Sequence, residues 1–154
     1  MMKIKTILFA GLLVGSLDIL AACLDFYIAT GNGPAGVLRY IASGAFGNEA
    51  FSGGTTMILW GLLFHYLIAY SFTILFFWLF QKLKSMRNYP VITAIMYSVF
   101  MWASTVLVIL PMSDTPPLPL TFWSALKAIL ILIFMISLPL TFIARRKARH
   151  SPIN

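Results

Sequence analysis

Charge is scarce in this chain. Of its 154 residues only 10% are Asp, Glu, Lys or Arg, and only four of those are acidic. A soluble domain is about 25% charged, so there is too little charge here to cover a water-facing surface. Cysteine is nearly absent too. The single Cys23 permits no internal disulfide and no Cys-based metal site, which excludes membrane dithiol oxidoreductases. The second histidine, His150, lies in the C-terminal tail, far from His65, which argues against a haem held by two histidines. A Gly-rich phosphate loop, zinc-ligand spacing and a nucleophile elbow are all missing. No catalytic residue, metal or cofactor is therefore expected.

What is there is apolar surface. Hydrophobic residues make up 60% of the chain, and the mean hydropathy is +0.92. That excludes disorder and points to an all-α integral membrane protein. A bilayer core of ~30 Å needs about 20 apolar residues in a helix. Four segments qualify, over about residues 4–29, 55–80, 91–111 and 121–144. The expected fold is a single four-transmembrane-helix bundle. The breaks are well marked: Thr30-Gly31-Asn32-Gly33-Pro34, the polar turn Gln81–Tyr89 closed by Pro90, and the proline-rich stretch from Pro111 to Pro119.

The net charge of +7 raises nucleic acid as a partner. Its distribution says otherwise. Lys3 and Lys5, then Lys82, Lys84 and Arg87, then Arg145, Arg146, Lys147 and Arg149 account for nine of the eleven basic residues. With four spans all nine fall on one side. The positive-inside rule then makes both termini cytoplasmic, and the expected partner is the lipid bilayer, with no nucleic acid. Leu20-Ala21-Ala22-Cys23 is shaped like the end of a lipoprotein signal. Asp18 within the apolar run, and the apolar Leu24, Phe26, Tyr27 and Ile28 beyond it, favour a retained span. Trp60, Trp123, Tyr27, Tyr40 and Tyr89 are candidate interface anchors, and Trp102, in mid-span, is a packing residue.

The outer loop, residues 30–54, is too long for a tight turn. It carries a short helix over about 34–46, with Val37, Leu38, Ile41 and Ala45 on one face and Arg39 and Ser43 off it. Two readings stand: a helix lying in the interface, or a lid over a cavity.

Four ionisable residues fall inside the spans, where each costs about 2.5–3.5 kcal/mol at a helix centre: Asp18, Asp25, His65 and Lys127. Gly11, Gly15, Asp18, Ala22 and Asp25 recur at steps of four and three and share one face of span one. Gly61, His65 and Ala69 make a matching stripe on span two. The small residues Gly11, Gly15, Gly61 and Ala69 are candidates for close helix packing. Asp18 stands 11 residues from Ala29 and His65 stands 10 from Thr55, so the two reach similar depth, and a buried Asp18–His65 pair is expected. A second pair is expected nearer the outer boundary, Asp25 with Lys127 or Arg39. Such pairs either lock helices together or form a polar pathway, with an Asp–His couple suited to proton handling. Ser98 shares a face of span three with Trp102 and Thr105, placed for interhelical hydrogen bonding, and Pro139 is expected to kink span four.

Three local patterns resemble those of the YagU-like small inner-membrane proteins of bacteria: Gly11-Leu12-x-x-Gly15, Trp60-x4-His65-x6-Phe72 and Met112-x-x-Thr115-Pro116-Pro117-x5-Trp123. The resemblance implies four spans and an inner-membrane location, with no settled reaction or substrate. The chain departs from that family in its shorter outer segment and in Asp18. Three functions are compatible with these readings. The first is a small transport or permeation protein, proton-linked through the outer polar cluster and, with only four helices per chain, working as a homo-oligomer. The second is a non-catalytic membrane subunit or scaffold whose buried ion pairs fix packing beside a membrane partner protein. The third is an enzyme on a lipid-soluble substrate such as a quinone.

Overall fold

The computed structural model describes residues 4–117 and 119–149, with the Arg149 side chain left out. Lys3 and His150 lie outside the described residues. The described chain is helical, and no strand occurs within it. Four helices are long and apolar enough to cross a membrane: Ile4–Thr30, Gly54–Lys82, Pro90–Ile109 and Phe122–Ala148.

Helix α1 (Ile4–Thr30) is largely apolar apart from its small and acidic face, and it runs unbroken to Gly31. There the chain turns left-handed, at φ 71°, a conformation only glycine adopts without strain. The Gly31 amide donates to the Tyr27 carbonyl at 2.8 Å, closing the last turn. Helix α2 (Ala35–Phe46) follows Pro34 and stops at Gly47, φ 55°. A 3₁₀ turn, Gly47–Phe51, leads into α3 (Gly54–Lys82). A single helical turn, α4 (Lys84–Asn88), reverses the chain into α5 (Pro90–Ser104), where proline sits at the first position and no amide is lost. Helix α6 (Phe122–Leu132) opens on a capping box. Thr121 Oγ1 accepts from the Ser124 amide at 3.1 Å, and Ser124 Oγ accepts from the Thr121 amide at 3.0 Å.

The third and fourth spans each contain one π turn. Thr105–Ile109 extends α5, and Ile133–Ser137 joins α6 to α7 (Leu138–Arg149). Both stand in the same context, because a leucine and then a proline come next: Leu110-Pro111 and Leu138-Pro139. A proline has no amide to give the carbonyl four residues back, and its ring crowds that carbonyl. Widening the preceding turn relieves the crowding. The Leu110 amide reaches back five residues to Thr105 O at 2.8 Å, and the Leu138 amide reaches Ile133 O in the same way. The disturbance expected at Pro139 thus takes the form of a widened turn within a continuous helix.

The buried core lies toward the end that carries the basic clusters. Ala10 and Val14 of α1, Phe76, Phe77 and Phe80 of α3, Tyr97 and Met101 of α5, and Ile136, Leu140 and Ala144 of the fourth span meet there. Helix α1 packs on α3 and on the fourth span, which packs on α5. Between α3 and α5 stand rings. Phe76 and Tyr97 meet edge to face at 4.9 Å, and Phe72 meets Phe100 at 6.3 Å. Tyr97 Oη donates to Phe72 O at 2.6 Å.

At the opposite, loop-bearing end α2 lies against α3. The two backbones come so close that a Cβ on Gly61 would overlap the Leu38 carbonyl. Only small residues fit such an approach, so Ala42 and Ser43 are the buried residues of α2 while Ala45 is exposed. This corrects the expected face, which included Ala45 and left Ser43 out. Phe46 extends the contact, its ring 5.7 Å from Trp60 and 6.1 Å from Phe64. The other side of α2 holds the loop after α5: the Asp114 amide donates to Gly44 O at 3.2 Å, and Tyr40 Oη donates to Pro116 O at 3.1 Å.

Candidate functional site

The candidate site is the set of polar side chains in the spans and at the loop-bearing end. It begins at the α1–α3 contact. Gly11 and Gly15 leave two gaps one turn apart, and two tyrosines one turn apart fill them. A Cβ on Gly11 would run into the Tyr70 ring, and one on Gly15 would lie 3.0 Å from Tyr66 Cε1 and 3.2 Å from Ala69 Cβ. The phenols then find partners on α1. Tyr70 Oη donates to Leu8 O at 3.0 Å, and Ser16 Oγ and Tyr66 Oη are 2.7 Å apart.

His65 completes this seam. It is 8% exposed, and its Nε2 lies 2.8 Å from the Gly15 carbonyl. A carbonyl only accepts, so Nε2 carries the proton and donates. The expected direct pair with Asp18 is not formed. Asp18 is near enough to interact electrostatically with His65, but the two make neither a hydrogen bond nor an ion pair. The imidazole instead reaches the α1 backbone one turn before Asp18, where Gly15 lets Tyr66 and Ala69 of α3 pack close. Asp18 is half-buried and, among the described residues, has no hydrogen-bond partner.

The second pair does form. Lys127 Nζ of α6 is 2.8 Å from Asp25 Oδ1 of α1, with both side chains partly exposed. Arg39 takes no part in it. It is half-buried on α2, and its Nε is enclosed with no partner among the described residues. Of the two small-residue stripes, Gly11, Gly15 and Ala69 meet at α1–α3, while Gly61 faces α2 instead. Ser98 Oγ donates to Ser137 Oγ at 2.8 Å across α5 and the fourth-span π turn, and both serines are fully buried.

The sequence reading missed Tyr66 and Tyr70, and it took Tyr40 for an interface anchor without its bond to Pro116. The first two carried a signal, because tyrosines four apart on α3 match glycines four apart on α1. Tyr40 carried none, as its partner is a loop carbonyl 76 residues away. Burial pushes the Tyr40 phenol above its ordinary range. Among the described residues no group of three or more His, Cys, Asp or Glu side chains is placed to hold a metal.

The class defined by these features is a small helical bundle with four helices long and apolar enough to cross a membrane and a hydrogen-bonded seam between α1 and α3. No family model, curated protein or solved structure matches the chain.

Proposed function

We propose that the chain is a multi-pass protein of the bacterial inner membrane, both termini cytoplasmic, working as a non-catalytic subunit or scaffold beside a membrane partner or a second copy of itself. One observation carries this reading. The buried His65 of α3 donates to the Gly15 backbone of its own chain, flanked by Ser16–Tyr66 and Tyr70–Leu8 bonds. The Asp25–Lys127 pair likewise ties α1 to α6. In lipid, where burial of apolar surface does not drive helices together, such bonds and close glycine contacts determine the packing. The basic clusters at one end support the orientation.

A second reading, proton-linked permeation, is favoured by Asp18, an intramembrane carboxylate with no hydrogen bond among the described residues, since such residues mark ion pathways. Proteoliposomes loaded with a pH-sensitive dye separate the two. The scaffold reading expects wild-type vesicles to leak protons no faster than empty ones. It also expects His65→Leu to lower thermal stability in detergent and Asp18→Asn to leave it nearly unchanged. A flux above the empty-vesicle background that disappears in Asp18→Asn overturns it in favour of permeation.

A further inference from the structure

The basic end of the bundle contains a groove that the polar seam does not use. It has a volume of about 300 Å³ and lies between the end of α3, α4 and α5, with Leu79, Met86, Ile92, Met96 and Phe100 among its walls. That volume is at the lower bound of small-ligand sites, ≈300–1,000 Å³. Two of the four polar residues in its wall spend their hydroxyls on backbone carbonyls: Thr93 Oγ1 donates to Met86 O at 3.2 Å and Tyr97 Oη to Phe72 O at 2.6 Å. The groove is lined mostly by hydrocarbon and ring surface. Along α5 the wall from Tyr89 to Phe100 rises roughly 16 Å at ~1.5 Å per residue, about half of a ~30 Å bilayer core and so about one leaflet.

Charge surrounds one end of it. Helix α4 carries Lys84 and Arg87, and Lys82 stands one residue before Leu83 of the wall. None of the four acidic residues, Asp18, Asp25, Glu49 and Asp114, belongs to α4, the groove wall or the residues flanking them. Arg87 is half-buried. Its Nη2 makes a long 3.4 Å bond to Gln81 O, and its Nε is enclosed with no partner among the described residues. The guanidinium spends only this one long bond on the chain, and an oxyanion such as a phosphate suits its remaining N–H groups.

We propose that this groove binds one anionic glycerophospholipid, an acyl chain lying along Met96 and Phe100 and its phosphate facing Arg87 and Lys84. An acyl chain accounts for the apolar one-leaflet wall, and the phosphate accounts for the single-sign charge. The inference rests on the membrane location proposed above and is independent of whether the protein is a scaffold or a permeation pathway.

The test is native mass spectrometry of the full chain released from detergent with equal phosphatidylglycerol and phosphatidylcholine of matched acyl chains. The wild type is expected to retain one phosphatidylglycerol severalfold more often than one phosphatidylcholine. Arg87→Gln with Lys84→Gln is expected to abolish that preference while leaving total lipid retention largely in place. Met96→Trp, which fills the groove from an exposed position, is expected to lower retention of both lipids with the helical circular dichroism unchanged. Inorganic phosphate at equal concentration is expected not to compete, because it lacks the acyl chain. Equal retention of the two lipids by the wild type, or a preference untouched by the charge variants, overturns the proposal. Competition by phosphate alone also overturns it. Carbonate extraction of expressing cells reads membrane insertion separately, so failure of the location and failure of the site are distinguished.

Discussion

At Gly15 the α1 backbone meets three residues of α3: Tyr66 and Ala69 take the space a side chain would need, and His65 bonds to the carbonyl. The imidazole of His65 would otherwise be an unpaired polar group among apolar helices, and its bond to the Gly15 carbonyl offsets that cost. In membrane bundles such interhelical bonds are worth about 0.6–2 kcal/mol each, so His65→Leu is expected to destabilise the bundle by about that amount. His65→Gln, which keeps a donor, is expected to recover part of it; thermal unfolding in detergent measures both. Gly61→Ala is expected to cost more than either, because its methyl would overlap the Leu38 backbone, which cannot swing aside. Gly33→Ala meets nothing within 4 Å and serves as the control.

Tyr40 gives the residue scale its pH dependence. Burial disfavours the phenolate and holds the Tyr40 phenol above its ordinary value, which is about 10. The folded state thus holds the proton more tightly than the unfolded chain does. The stability contributed by the neutral phenol is full below pH ~10 and is lost as the pH rises through the folded value. The wild-type unfolding midpoint is therefore expected to fall more steeply above that pH than the midpoint of Tyr40→Phe.

At the scale of elements, the two π turns have one cause, a proline that cannot supply an amide. The consequence in the fourth span is register. A widened turn over Ile133–Ser137 rotates α6 relative to α7, and Ser137 at its end meets Ser98. Pro139→Ala restores the amide and is expected to return this turn toward α geometry, moving the two serines apart. Oxidative cross-linking of Ser98→Cys with Ser137→Cys is expected to be efficient beside Pro139 and weaker in Pro139→Ala. The proline was legible from the sequence, as was the Ser98 face. The π turn was not, because proline kinks and proline-relieving wide turns share one sequence signal.

For the whole molecule, the proposed orientation rests on the basic clusters. In a Cys23→Ala background, Glu49→Cys is expected to react with a membrane-impermeant maleimide on intact inner-membrane vesicles of native orientation. Ser85→Cys is expected to react only after permeabilisation. The reverse pattern places the termini on the other side.

The order of residues alone determined four helices long and apolar enough to cross a membrane, since long apolar runs satisfy their own backbone groups as helices. It also determined where the helices break, because glycine and proline act locally. It narrowed the partner of Asp25 to two cations of comparable depth, and the fold selected Lys127 over Arg39. Periodicity placed Gly11, Gly15, His65 and Ala69 on facing stripes but assigned Gly61 to the wrong neighbour, because α2 comes between as a separate packing partner. Depth arithmetic brought Asp18 and His65 level without bringing them into contact. A stripe gives direction to within a helix face, whereas a hydrogen bond is decided within about half an ångström. That last distance is determined by which side chains are missing from the opposing helix, and only the tertiary structure decides it.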